Sequence, residues 1–276
     1  MRYILFITFL FFVILSSCTD KKRNYVIDKK DYKNKLEGFW LGQSIANWTG
    51  IVTEMDKIGI PINNKGEGFY TSEDWGKSDK PNIWSDFSNY QIIDFNLATS
   101  DSLWGSDDDT DIEYMYQELI LENNRLKLRP NEIREGWLKH IKEEEENFLW
   151  VSNQRAFDLM RKGVLPPDTS NPKNNQFYEM IDAQLTTEIF GLYSPFYPDV
   201  GLSMAYLPIR TVARENAAWI SEFYIIMHSI ALTETDHENI KDKIFWMSDQ
   251  ARQILPDASY LTLIHISEPT RLRRIS

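Results

Sequence analysis

The chain has 276 residues, of which 42% are hydrophobic and 13% aromatic, enough to fill the core of one large domain or two small ones. Its formal net charge of −11 at pH 7 excludes a general nucleic-acid binder, because a phosphate backbone needs a basic surface. A single cysteine excludes an internal disulfide.

The chain opens on MRYILFITFLFFVILSSC, with one basic residue, Arg2, and an apolar run from Tyr3 to Leu15. That run is too short for a comfortable membrane span and reads as an export signal, residues 1–17. Its LSSC ending resembles the bacterial lipobox, which makes Cys18 the lipidated N-terminus of a mature protein held to a bilayer at the cell envelope. Residues 18–34 are polar, without apolar period, and read as a tether.

A helical stripe then starts near Leu36, with Phe39, Trp40, Ile45 and Trp48. Gly38, Gly42 and Gly50 interrupt it, which predicts close packing or a turn at each. Asn47 opens an Asn-Trp-Thr triplet with the spacing of a glycosylation acceptor. Residues 59–106 are rich in Gly, Asn, Asp and Ser and show no sustained period, so an irregular, functional segment is expected there.

Asp107, Asp108 and Asp109 follow side by side, with Asp111 and Glu113 close behind. A helical stripe begins at once: Ile112, Met115, Tyr116, Leu119, Ile120. Two readings of the acidic run stand open. Carboxylates at a helix N-terminus are favoured by the macrodipole, by about 0.3–1 kcal/mol each, and one of them can cap the first turn. Capping needs one side chain, however, and three adjacent carboxylates repel each other. Gathered hard oxygens are also what Mg²⁺ or Ca²⁺ requires.

From Asp111 onward helix signals dominate. Two or three helices are expected before Gly163 and Pro166-Pro167, one over 175–195, one interrupted at Pro208, a long apolar one after it, and one over 237–255. The four histidines show no metal-ligand spacing, and His228 reads as a core histidine. The fold class is therefore all-α, a single domain over residues 35–262. The closing residues, 263–276, hold Arg271, Arg273 and Arg274 in an otherwise acidic chain and read as a foreign tail.

Four stretches, in order, resemble the ADP-ribosylglycohydrolase family: KLEGFWLGQSIANWTGIVTE, DDDTDIEYMYQ, AFDLMRKGVLPPDTS and IDAQLTTEIFGLYSPFYPDVGLSMAY. The resemblance implies an orthogonal helical bundle and a hydrolase that releases ADP-ribose or a related ribosyl group from an acceptor, with two Mg²⁺ ions. Asp108 and Asp109 match the family's paired acidic ligands, Asp107 stands at the preceding ligand position, and Thr110 is the motif's own Thr. Glu54 matches an acidic residue near metals and ribose, a general base or charge stabiliser. Asp182 and Asn216 fall in stretches that lie near the ligand. Ala217 and Ala213 depart from the family's Gly and His around Asn216. A second acidic motif of the Gly-Asp-x-Asp type has no counterpart after Asp182, so the resemblance implies a bundle incomplete at its C-terminus, with Trp219, Phe223, Ile226 and Ile230 left partly exposed. The alternative function is a lipid-anchored protein that binds nucleotide or carbohydrate on the same fold without catalysis.

The lipidation expectation is checked by metabolic labelling with a fatty-acid analogue. The wild type should be labelled and Cys18→Ala should not.

Overall fold

The computed structural model describes residues 25–53, 70, 73–79, 92–95, 107–142, 149–233, 237, 239–257 and 259–260. Cys18, Glu54 and the tail at 263–276 lie outside them. The described residues are mostly helical, with no strand; two short segments of the irregular stretch meet in one antiparallel bridge, Ser78 to Ile92, which places Ile93 in full burial. Among the described residues no helix is long and apolar enough to cross a membrane.

The chain divides at Lys35. In the first unit the helix α1 (Lys29–Gly50) begins, so residues 29–34 of the expected tether are helical. The missed signal is Asp28, whose Oδ1 accepts the N–H groups of Lys30 (2.8 Å) and Asp31 (3.2 Å), a helix cap.

In the second unit α1 lays Leu36, Phe39 and Trp40 against the core, while Ile45 stays exposed. Close packing at its glycines has no counterpart: among the described residues nothing lies within 4 Å of a Cβ built on Gly38, Gly42 or Gly50. Gly50 does end the helix, at the 3-10 turn Ile51–Thr53.

The helix α2 (Asp108–Asn123) buries Ile112, Met115, Tyr116 and Leu119, as its period predicts. It packs on α3 (Pro130–His140), where the buried Trp137 donates Nε1–H to the Tyr116 hydroxyl at 3.2 Å. Next comes α4 (Val151–Arg161), which ends ahead of Gly163 at φ 89°. The single helix expected over 175–195 is instead two short ones, α5 (Asp182–Thr186) and α6 (Ile189–Leu192). Thr187 separates them: its φ of −133° is not helical, and its hydroxyl turns back to the Ala183 carbonyl at 2.6 Å.

The helix α7 (Pro198–Val212) runs through Pro208 unbroken, against expectation. One backbone bond is lost there, but Pro208 is buried within the core face. The break comes at Ala213–Arg214, where the Arg214 N–H leaves for the Tyr178 carbonyl at 2.8 Å. The long helix α8 (Glu215–Ala231) is apolar on most sides and packs against α5, α6, α7 and α9 (Ile240–Arg252). Of the four residues expected to be partly exposed, Phe223 and Ile226 are instead buried with Ala251 and Leu255 in a second apolar cluster, while Trp219 and Ile230 pack against it and stay partly exposed.

Three glycines set the closest approaches, Gly136, Gly191 and Gly201, the last against the Ser194 hydroxyl. A Cβ on Gly136 would collide with the Leu119 side chain, and one on Gly191 with the Ile225 carbonyl oxygen. Side-chain atoms can give way; a helix backbone cannot. Gly191→Ala should therefore destabilise the fold by about 1–3 kcal/mol, read as a lower midpoint in urea.

Candidate functional site

The three aspartates at the start of α2 have separate tasks. Asp107 is the N-cap of its own helix, with φ −91° and ψ 174°, and its Oδ1 accepts the Thr110 N–H at 2.9 Å. Asp108 reaches away: its Oδ2 accepts the Trp150 N–H at 3.3 Å, at the start of α4. Asp109 makes no hydrogen bond among the described residues.

The start of α4 explains why these charges collect. Its N-cap is Trp150, which has no capping group, so its first amides need acceptors from elsewhere. Asp108 supplies one and Asp182 another, with Oδ1 accepting the Asn153 N–H at 2.9 Å. Asp182 is 1% exposed, and its Oδ2 has no hydrogen-bond partner. Ser152 Oγ and both amide atoms of Asn153, all buried, are likewise without one, although the Ser152 hydroxyl lies near enough to favour the Asp182 charge.

The electrostatics follow from this crowding. Burial raises the pKa of Asp109 to about 8, and the charges of Asp108, Asp107, Asp182 and Glu113 push it the same way. Burial also raises Asp108, against the hydrogen bond from Trp150. Asp182 is raised by burial and held back by Asn153 and Ser152.

One turn along α2, Glu113 is fully buried. Its Oε1 accepts the Ile189 N–H at 2.8 Å, capping α6, and its Oε2 accepts from Gln43 of α1. Burial and the Glu188 charge push its pKa up to about 8. Glu188 is raised in turn by burial, with His228 and Gln43 opposing. His228 is half-buried, with Nδ1 at 2.9 Å from the Tyr224 carbonyl, the core position expected of it.

A cavity of about 50 Å³ opens beside Asp108, lined also by Asp111, Ile112, Met115 and His140. That volume has room for an ion or a water. A larger groove of about 580 Å³, between the α2–α3 connection and α7, shares no residue with the acidic cluster.

The structure thus brings Asp107, Asp108, Asp109 and Asp182 together. It does not bring in Asn216, whose amide donates to Glu179 Oε1 (3.2 Å) and accepts the Tyr260 N–H (3.0 Å). Glu113, already part of the acidic run, and Asn153, which carried no local signal in the sequence, belong to the same region. Among the described residues, no three acidic, His or Cys side chains converge as a ready metal cage. No family model matches the chain, and neither a curated protein nor a solved structure matches it.

Glu113 gives a pH signature. Its folded pKa lies above the ordinary 4.5, so the folded state binds the extra proton between the two values. The stability this contributes is full below 4.5 and is lost as pH rises through about 8, at up to about 1.4 kcal/mol per pH unit. In Glu113→Gln the new amide can donate to Gln43 Oε1, now buried without a partner, once the Gln43 amide turns over. Urea melts between pH 5 and 8 should show a shallower fall in stability for Glu113→Gln than for wild type.

Proposed function

We propose that the chain is a Mg²⁺-dependent hydrolase of a glycosidic bond, of the ADP-ribosylglycohydrolase type, releasing ADP-ribose or a related ribosyl group from an acceptor. In this reading lipidated Cys18 holds it at the bacterial cell envelope. The observation that carries the proposal is Asp109: a half-buried carboxylate with no hydrogen bond among the described residues, pressed by four other acidic groups. Either a proton or a cation relieves that repulsion.

The donors fit a hard divalent cation in type and charge. Among the described residues Asp109 accepts no hydrogen bond, Asp182 has a buried oxygen without a partner beside the Ser152 hydroxyl, and Asp108 has a second oxygen beyond the one on Trp150. These three residues would hold Mg²⁺, which when bound supplies positive charge to orient ribose hydroxyls and acidify a water. Asp107 serves differently, fixing the first turn of α2. The α4 amides hold Asp108 and Asp182 in place, which limits reorganisation when the substrate arrives. Glu54 is assigned the general base, on the resemblance alone.

The second reading, binding of nucleotide or carbohydrate without turnover, is favoured by one observation. Asp107 and Asp108 are already committed to helix N-termini, and the described carboxylates do not close into a cage.

Hydrolysis of ADP-ribosyl and simple glycosyl substrates, with and without Mg²⁺, separates the two. Turnover should require Mg²⁺, and Asp109→Asn should lower kcat/KM by on the order of a hundredfold or more while leaving the metal-free fold intact, since it removes a repelled charge. Binding without turnover would favour the second reading. Turnover indifferent to both Mg²⁺ and Asp109→Asn would defeat the proposed site.

A further inference from the structure

Helices α1 and α2 are tied by two amide–carboxylate pairs. Gln43 Nε2 donates to Glu113 Oε2. One turn further along α1, Asn47 meets Asp107 twice. In the amide orientation that satisfies both atoms, Nδ2 donates to Asp107 Oδ2 at 3.2 Å and Oδ1 accepts the Asp107 N–H at 3.1 Å. The other carboxylate oxygen, Oδ1, is taken by the Thr110 N–H. The Asp107 N–H and both carboxylate oxygens are therefore engaged at once, which fixes its side chain and its backbone together. Asp108 and Asp109 are the next two residues, so the direction in which they leave the helix is set by how Asp107 is held.

We infer that Asn47 is a positioning residue: by clamping the backbone and side chain of Asp107, it aims Asp108 and Asp109 at a divalent cation. The inference rests on the cation reading proposed above. A pointer to a ligand outside the α2 acids is Asp182 on α5, 1% exposed, whose Oδ2 has no hydrogen-bond partner among the described residues and whose charge bears on both Asp108 and Asp109. Residue 47 suits an amide. A carboxylate there would lack the donor that Asp107 Oδ2 needs and would add a further negative charge, while a hydroxyl on so short a stem would not supply both bonds at this spacing. Groups that orient ligands in this way carry a tenfold to hundredfold share of metal affinity in general.

Gln43 provides the control, because it clamps the same two helices one turn away without touching the aspartates. The test is Mn²⁺ binding to the full chain, followed by the loss of the free-ion electron paramagnetic resonance signal, with thermal melts of the metal-free proteins alongside. Asn47→Ala should weaken Mn²⁺ binding by about tenfold or more. Gln43→Ala should lower Tm and leave Mn²⁺ affinity unchanged. Should Asn47→Ala not fold, Asn47→Leu keeps the shape, removes both hydrogen-bonding groups and carries the same expectation. Wild-type affinity in the folded Asn47 variant would overturn the inference while leaving the cation reading intact. Equal weakening by Gln43→Ala would also overturn it, by reducing the effect to a loosened α1. A wild-type protein that binds no Mn²⁺ at millimolar concentration would instead remove the cation reading, and the inference with it.

Discussion

The N-termini of α4 and α6 carry no capping side chain of their own, and beyond the exposed Trp150 their first amides belong to buried or half-buried residues. A buried N–H left without an acceptor costs about 1–3 kcal/mol. The fold meets that demand from a distance. Asp108 and Asp182 bond to the start of α4, and Glu113 to the start of α6. Each of these acids sits on or beside another helix, so the arrangement of α2, α5 and the two capped ends is mutually fixed. Burying acids to satisfy amides also draws negative charge into the centre of the domain, and the raised proton affinities of Asp109, Glu113 and Glu188 are the consequence.

This arrangement reconciles the two meanings of an acidic run at a helix start. Asp107 serves its own helix, Asp108 a neighbouring one, and Asp109 neither. The charge that makes no structural bond is the one most disturbed by the others. The acids around Asp109 are held by backbone amides, Asp107 by Thr110, Asp108 by Trp150 and Asp182 by Asn153. The cost of this arrangement is a carboxylate that holds a proton near neutrality unless a cation replaces it.

What the sequence made legible was the periodic part. The α2 stripe from Ile112 to Leu119 is buried as its spacing requires, and Gly163 ends α4 in the left-handed conformation its position asks for. The non-local part was hidden. Glu113 stands between Ile112 and Tyr114 and shows in the sequence only as the end of the acidic run; its burial is tied to an amide 76 residues away. Asn47 offered only a glycosylation triplet, because its partner lies on another helix. The break at Thr187 was missed because Thr186 and Thr187 are tolerated in helices, and only the tertiary demand to turn Ile189 toward Glu113 decides between one helix and two. Gly38 and Gly42 of α1 misled in the opposite sense, promising contacts that no described residue makes, while Gly50 marks the turn it allowed for.

The distant caps also bear on the order in which the molecule forms. The bond from Asp108 to Trp150 spans 42 positions, that from Asp182 to Asn153 spans 29, and that from Glu113 to Ile189 spans 76. An 11-residue helix such as α4 is marginal in water on its own. Its first turn has nothing to hold it until α2 and α5 have docked, and α6, with four residues, has still less. The chain must close these loops before either helix end can persist, so assembly of this region is governed by long-range encounter rather than by local winding. The acidic cluster is completed in that same event, so its mutual repulsion is met only once the domain has closed.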